Sequence, residues 1–206
     1  MDKFKIRQKK YFGFLKHIKQ YGSFIKWNLK GKQNPPVDYI KQNTIIKYIK
    51  AHKVRTFVET GTYYGDTLDR VSKYVDKAYS VEIEKKFYEN ALIRFKKNKK
   101  IELLHGDSGR KISNILGKIS DRTAFWLDGH YNNIKESEIG QITPIYLELD
   151  AIYSHNIKNH ILLIDDSRLF IGSNGYPVLE DLKKYIYKKN SNARISIHND
   201  IIIVEN

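Results

Sequence analysis

Acidic residues recur in this chain where short apolar runs stop. Glu59 lies at the end of "RTFVET" and Glu82 at the end of "AYSVE"; Asp107 follows "IELLHG", Asp128 follows "TAFWL", and Asp165 with Asp166 follows "HILLI". Helix capping accounts for one or two acids in such places, whereas five acidic segment ends suggest a shared site. Asp165 and Asp166 are adjacent, and two like charges about 4 Å apart repel by about 4 kcal/mol at an effective dielectric of 20. A divalent cation would relieve that repulsion. Asp128, Asp165 and Asp166 together offer hard oxygen ligands of the kind that suit Mg2+ or Ca2+. His130 stands two residues after Asp128. Histidine is the side chain that exchanges a proton near neutral pH, so Asp128 and His130 are the candidate catalytic pair. A loop histidine held by a hydrogen bond is an equally open reading of His130.

The stretch "RTFVETGTYYGDTL" adds glycines to the first acidic end. Gly61 would let the chain turn sharply, and Gly65 would let a ligand or the next helix come close. A dinucleotide loop needs G-x-G-x-x-G to seat a pyrophosphate on a helix N-terminus. Here the order is E-x-G-x-x-x-G, with Tyr63 where a middle glycine would admit phosphate and Glu59 placed to repel an anion. Such a loop suits a ligand with an ammonium or sulfonium centre and no phosphate. Glu82 falls 21 residues after Gly61, where an acid can accept both hydroxyls of a ribose at about 1.5–3 kcal/mol per charge-assisted bond. Each feature also has a plain reading: a glycine pair in an ordinary turn, Glu82 as a solvated strand end, and Asp107 or Ser108 as a helix N-cap. We assign the cap to Ser108.

These residues need a scaffold that brings segment ends together. The apolar runs, rich in β-branched and aromatic residues, alternate with helically spaced stretches at 66–75, 86–97, 109–118 and 141–154, preceded by one at 38–52 carrying Ile45, Ile46 and Ile49 on one face. Near-continuous apolar strands separated by helices predict an α/β fold, with a parallel sheet covered on both faces. A helix over 177–190 is followed by "ARISIH" and "DIIIVE" around Asn199 and Asp200, the signal for a C-terminal antiparallel hairpin. The expectation is a Rossmann-like, mostly parallel seven-stranded sheet ending in that hairpin. In open sheets of this kind ligands bind at the carboxyl ends of the strands, where all the acidic ends lie.

Composition limits the rest. The chain has 206 residues, 41% of them hydrophobic, no cysteine and a formal charge of +14. One domain with a sizeable core follows, without disulfides, zinc–thiolate sites or thiol nucleophiles. With no long apolar run and no secretory pattern at the N-terminus, the expectation is a cytoplasmic protein. Residues 1–32 carry ten basic residues against Asp2 alone, so most of the charge excess sits in a leader. Phe4, Tyr11, Phe14, Ile18, Tyr21 and Ile25 recur at helical spacing there, which predicts a basic amphipathic helix. Gly13 and Gly22 each weaken it by about 1 kcal/mol and are places for it to break. "GKQNPP" then ends it. The division expected is a leader over 1–35 and a domain over 36–206. The leader could pack on its own domain or on a second copy in a homodimer, lie on an anionic membrane as a peripheral contact, or meet nucleic acid.

The order "FVETGTYYGDTL", "YSVEIEKKFYENA", "LLHGDSG", "FWLDGHY", "LLIDDSRLF" resembles the class I S-adenosylmethionine-dependent methyltransferases, in particular a bacterial and viral branch with the strings ETGTY, DGHY and IDD that often sits among glycan-modifying genes. The resemblance covers about residues 36–206. It implies S-adenosylmethionine as cofactor: Glu59, Gly61, Tyr63 and Gly65 around the methionine part, Glu82 at the ribose, Asp107 with Ser108 at the adenine edge, and Thr62, Ile83 and Asp128 completing the cofactor-binding set. It also likens Asp128, Asp165 and Asp166 to the Mg2+ ligands of metal-dependent sugar and catechol O-methyltransferases. The implied activity is O-methylation of a sugar hydroxyl on a glycan or of a related small-molecule acceptor. Where related chains have a glycine-rich loop after DGHY, this one has "NNIKESEIGQITP", so the acceptor does not carry over. RNA methylation is motivated by the positive charge. No basic stripe interleaved with aromatics lies outside the leader to support it, and the proline-rich motif of amino-methylating enzymes is missing after the fourth strand. A non-catalytic binding module with the same fold is the reading from a different class.

Overall fold

The computed structural model describes residues 12–31, 34–130, 143–173 and 175–206, of which 12–20 are described in backbone alone. Phe4 and Tyr11, the side chains of Phe14 and Ile18, and most of the segment after "DGHY" lie outside the described residues.

The described residues open with α1 (Phe12–Leu29) and α2 (Asp38–Ala51), then alternate strand and helix. β1 (Thr56–Thr60), α3 (Asp66–Val71), β2 (Lys77–Glu82), α4 (Lys85–Phe95), β3 (Ile101–His105), α5 (Ser108–Leu116), β4 (Thr123–Leu127), α6 (Ile145–Ser154) and β5 (Ile161–Ile164) follow in order. α7 (Leu179–Lys189) leads into the hairpin of β6 (Arg194–His198) and β7 (Ile201–Glu205). The seven strands form one sheet in the order β3-β2-β1-β4-β5-β7-β6. β1 to β5 are parallel, and β7 runs antiparallel to both β5 and β6.

Alternation along the strands makes two cores. Val58, Val81, Phe125, Leu127, Leu162 and Ile164 face α5, α6 and α7, where Ile112, Leu149 and Ile186 are buried. Phe57, Ala78, Trp126 and Leu163 face α2, α3 and α4, meeting Ile45, Ile49, Leu68 and Phe95. Strands apolar on both faces are the consequence of helices on both sides. The hairpin turn is as the sequence implies: Asn199 and Asp200 have φ of 52° and 62°, the paired positive values of the two-residue turn that matches strand twist.

Register brings the acidic ends level. Thr60 pairs with Val81 and with Leu127, and Leu127 with Ile164, so β1, β2, β4 and β5 finish along one edge. Gly61 is the pivot there, with φ +83° and a backbone so close to β4 that a Cβ would lie 2.6 Å from the Asp128 carbonyl oxygen. Gly65, at φ +73°, faces the ring of Phe95; a Cβ would stand 2.7 Å from it. The close neighbour at Gly65 is thus Phe95 of α4, one helix further along the chain than the next helix expected there.

Two local expectations need correction. The α5 cap is Asp107, not Ser108: Asp107 has extended backbone and its carboxylate accepts the Gly109 N–H at 3.0 Å, which frees the Ser108 hydroxyl for a buried partner. α1 runs unbroken through Gly13 and Gly22, since about 1 kcal/mol each is too little to open a helix of this length. Tyr21 and Ile25, on the expected apolar stripe, are exposed, whereas Phe24 packs against Tyr39 of α2 with ring centroids 5.8 Å apart. No helix among the described residues is long and apolar enough to cross a membrane.

Gly61→Ala should cost at least about 2 kcal/mol, from the left-handed backbone plus the forced shift of β4. Thermal melting should show a drop of about 4–8 °C. An unchanged melting point would mean that the β1 turn can relax away from Asp128.

Candidate active site

A cavity of about 350 Å³ opens where β1, β2 and β4 end, within the range of small-molecule and cofactor sites. Its wall contains Glu82, which is almost fully buried. Tyr63 N donates to Glu82 Oε2 at 2.6 Å and Glu84 N donates to Oε1 at 2.8 Å. These amides fix the carboxylate while each oxygen keeps further acceptor capacity. The turn that presents Tyr63 has φ +49° at that residue, and Arg94 of α4 braces it through the Tyr64 carbonyl and Asp66, the latter at 2.7 Å. Phe87 and Tyr63 pack with ring centroids 4.7 Å apart and planes tilted by 53° beside the cavity, adding an apolar surface next to the polar one.

Behind this wall lie acids that are not in contact with solvent. Glu59 is 1% exposed; Ser80 Oγ donates to its Oε2 at 2.7 Å and shares a 2.6 Å hydrogen bond with Thr62 Oγ1. Burial pushes the Glu59 carboxyl up to about 8, with Ser80 and Arg94 offsetting part of the effect. Glu148 of α6 is equally buried, accepts from Ser108 Oγ at 2.6 Å, and is pushed by burial up to about 7. Thr60 Oγ1 accepts the N–H groups of Asp128 and Gly129, each at 3.2 Å. A Cβ at Gly129 would stand 3.1–3.2 Å from Ser108, Glu148 and Thr60 side-chain oxygens, so the backbone there threads a polar pocket in which a side chain would press its neighbours back by a few tenths of an ångström.

Asp128, Gly129 and His130 line the large cavity and also a small acidic pocket shared with Glu148, Asp165 and Asp166. Carboxylate oxygens of Asp128, Asp165 and Asp166 lie within 4.8 Å of one another. Burial first, then Asp165 and Asp166, push the Asp128 carboxyl well above the usual range. His130 Nδ1 is 3.9 Å from Asp128 Oδ1, with about a third of each side chain exposed.

Relief of the Asp165–Asp166 repulsion comes from within the protein. Lys41 of α2 places Nζ 2.6 Å from Asp165 Oδ1 and 2.7 Å from Asp166 Oδ1. Arg168 bonds Asp166 at 2.7 Å and also pairs with Asp200. The donor set and spacing of the three aspartates suit a divalent ion, but the ammonium already stands on two of the three carboxylates. An ion at its usual distance of about 2.0–2.6 Å from those oxygens would contest the same space.

Of the residues singled out from sequence, Gly61, Tyr63, Glu82, Ile83, Ser108, Asp128 and His130 line the large cavity, and Asp165 and Asp166 the adjoining pocket. Glu59, Thr62, Gly65 and Asp107 are absent from the lining and support it: Glu59 and Thr62 from beneath, Gly65 against Phe95, Asp107 as the cap. Sequence reasoning missed Lys41, Glu148, Phe87 and Gly129. For two of these a signal exists. Lys41 continues the buried stripe of Ile45 and Ile49 by one turn, and Glu148 lies on the buried face of Ile145, Leu149 and Ile152.

No known family model matches the chain, and no curated protein does. Solved structures do share its architecture. An SAH-bound methyltransferase of Podospora anserina superposes with a TM-score of 0.58 at 13% identity, over 89% of this chain and 87% of that one. A putative caffeoyl-CoA O-methyltransferase from Staphylococcus aureus gives 0.56 at 13%, over 94% and 98%. The O-methyltransferase TomG of Streptomyces achromogenes, in complex with SAM, gives 0.55 at 12%, over 90% and 87%. The fold is thus the Rossmann-like one of class I methyltransferases, with the C-terminal hairpin.

Glu59 supplies a pH test. Its folded value lies above the ordinary 4.5, so it favours the folded state fully below about pH 4.5 and loses that contribution as pH rises towards 8. Glu59→Gln should therefore flatten the fall in melting temperature between pH 5 and pH 8 and raise it by several degrees at pH 8. A steeper fall in the variant would contradict a protonated Glu59.

Proposed function

We propose that the protein is an S-adenosylmethionine-dependent O-methyltransferase whose acceptor is a neutral hydroxyl compound, a sugar of a glycan or a related metabolite. The observation that carries this reading is the position of Glu82, held by two backbone amides in the wall of a ligand-sized cavity that ends at Asp128 and His130. The fold likeness is compatible with it, and the sequence resemblance supplies the acceptor class by analogy.

The residues present fit the cofactor. Glu82 would take the ribose hydroxyls, Phe87 and Ile83 the apolar face of the base, Ser108 its polar edge, and the Gly61–Tyr63 turn the amino-acid end. The cofactor, once bound, supplies a methyl group on a sulfonium centre. What the protein contributes to an in-line transfer is position and proton removal. Asp128 and His130 border both the cavity and the acidic pocket, so an acceptor hydroxyl between them has a proton acceptor within reach. Residues behind the wall exclude water.

Charge around the site bears on the acceptor. Among the described residues, Glu82, Glu84 and Asp128 line the large cavity and no lysine or arginine does. A negative wall favours a cationic cofactor and a neutral polyol and disfavours a polyanion, which weighs against RNA despite the +14 total.

Melting with and without S-adenosylhomocysteine tests the cofactor assignment. Saturation at a hundred times the dissociation constant should add about 2.7 kcal/mol, several degrees for a domain of this size. Glu82→Ala should abolish the shift. Asp128→Asn should keep it and lower turnover of a hydroxyl acceptor by about 10²- to 10⁴-fold. No shift in the wild type would favour a binding module that keeps the fold alone.

A further inference from the structure

The charge on the acidic pocket is compensated from an element that has no other part in the site. α2 is fixed on the sheet by Ile45, Ile46 and Ile49, and to the hairpin turn by Asn199 Nδ2 donating to Thr44 Oγ1 at 3.0 Å. That anchoring delivers Lys41, on the same stripe, to the ends of β5 and β7. Its side chain is 12% exposed, and Nζ reaches Oδ1 of both Asp165 and Asp166, with Asp200 at 4.0 Å. A buried ammonium without carboxylate partners is costly, as are buried carboxylates without a cation, so the three groups depend on one another. Arg168 covers the outer side of Asp166 and Asp200, leaving Lys41 as the cation nearest Asp165 among the described residues.

Resting on the methyltransferase reading, we propose that Lys41 is the resident cation of this site: its ammonium takes the place a divalent metal would have on Asp165 and Asp166, and methyl transfer proceeds without such a metal. Lys41 is a positioning residue here. It holds the two carboxylates apart from Asp128 and keeps the pocket shaped for the acceptor hydroxyl, and the proton still leaves through Asp128 or His130. The like charges of Asp165 and Asp166 stay side by side because the ammonium neutralises them at contact distance.

The test uses the full chain and Mn2+, titrated and followed by the EPR signal of the free ion. Wild type should leave that signal undiminished, and its turnover should survive EDTA. Lys41→Gln removes the charge, and should take up one Mn2+ per chain and lose turnover that Mg2+ partly restores. Lys41→Arg should keep turnover in EDTA. One Mn2+ bound by wild type and lost in Asp165→Asn would overturn the proposal, as would turnover that EDTA stops and Mg2+ restores. A folded Lys41→Gln that binds no Mn2+ and turns over normally would overturn it as well. If Lys41→Gln does not fold, the wild-type titration and the EDTA arm decide. The Mn2+ measurement needs no turnover, so it stands apart from the S-adenosylhomocysteine test of the methyltransferase reading.

Discussion

One side chain at the centre of the sheet ties the two halves of the site together. Thr60, the last residue of β1, accepts the N–H groups of both Asp128 and Gly129 through its hydroxyl. β1 and β4 are adjacent in the sheet although two strands and three helices separate them in sequence. This is the switch point where parallel α/β sheets open a crevice. The Gly61 turn and the "DGH" turn must diverge there at contact distance, which is why Gly61 has no room for a Cβ and Gly129 only a tight one. The cavity on one side and the acidic pocket on the other exist because these two turns part at Thr60.

A site made from strand ends in a dry sheet collects carboxyl groups faster than solvent can stabilise them, and the protein answers in three physical ways. Glu82 is held by backbone amides. Asp165 and Asp166 are matched by Lys41 and Arg168. Glu59 and Glu148 have hydroxyl partners and, among the described residues, no cation in contact, and both are pushed towards the neutral form. The acids therefore divide by position. Glu82, Asp165 and Asp166 are oriented or paired where they face the cavities, Glu59 behaves as polar filling beneath them, and Glu148 does so at the edge of the acidic pocket. A buried acid that stays protonated can donate as well as accept, so it bridges hydroxyl groups that an ionised one would leave unsatisfied.

The scaffold is legible in sequence for a simple reason. Strands buried on both faces must be apolar throughout, and runs such as "HILLI" and "TAFWL" have few other places in a folded chain. Their acidic ends are legible too, because punctuation by charge stands out against such runs. What stays hidden is pairing across long separations. Lys41 is one of 37 basic residues, and its distinction, a place on the Ile45–Ile49 stripe, matters only once α2 is known to cross the end of β5. Glu59 looks like a ligand because strand ends usually face the crevice, yet alternation turns its side chain into the layer beneath. Ser108 looks like the cap, but Asp107, one residue earlier, is as good a capping group and has the extended backbone a cap requires.

Charge is distributed in the chain so that its total misleads. Ten of the basic residues fall within positions 1–32, and α1 leaves Tyr21, Ile25 and Leu29 exposed, while the large cavity has acidic and aromatic walls. Potential falls off within about 10 Å at ordinary salt, so the charge a ligand meets in the cavity is set by the residues within that reach and not by the total. On the proposed reading, the site selects its acceptor by hydrogen bonds to hydroxyl groups, and the positive charge elsewhere plays no part in that choice.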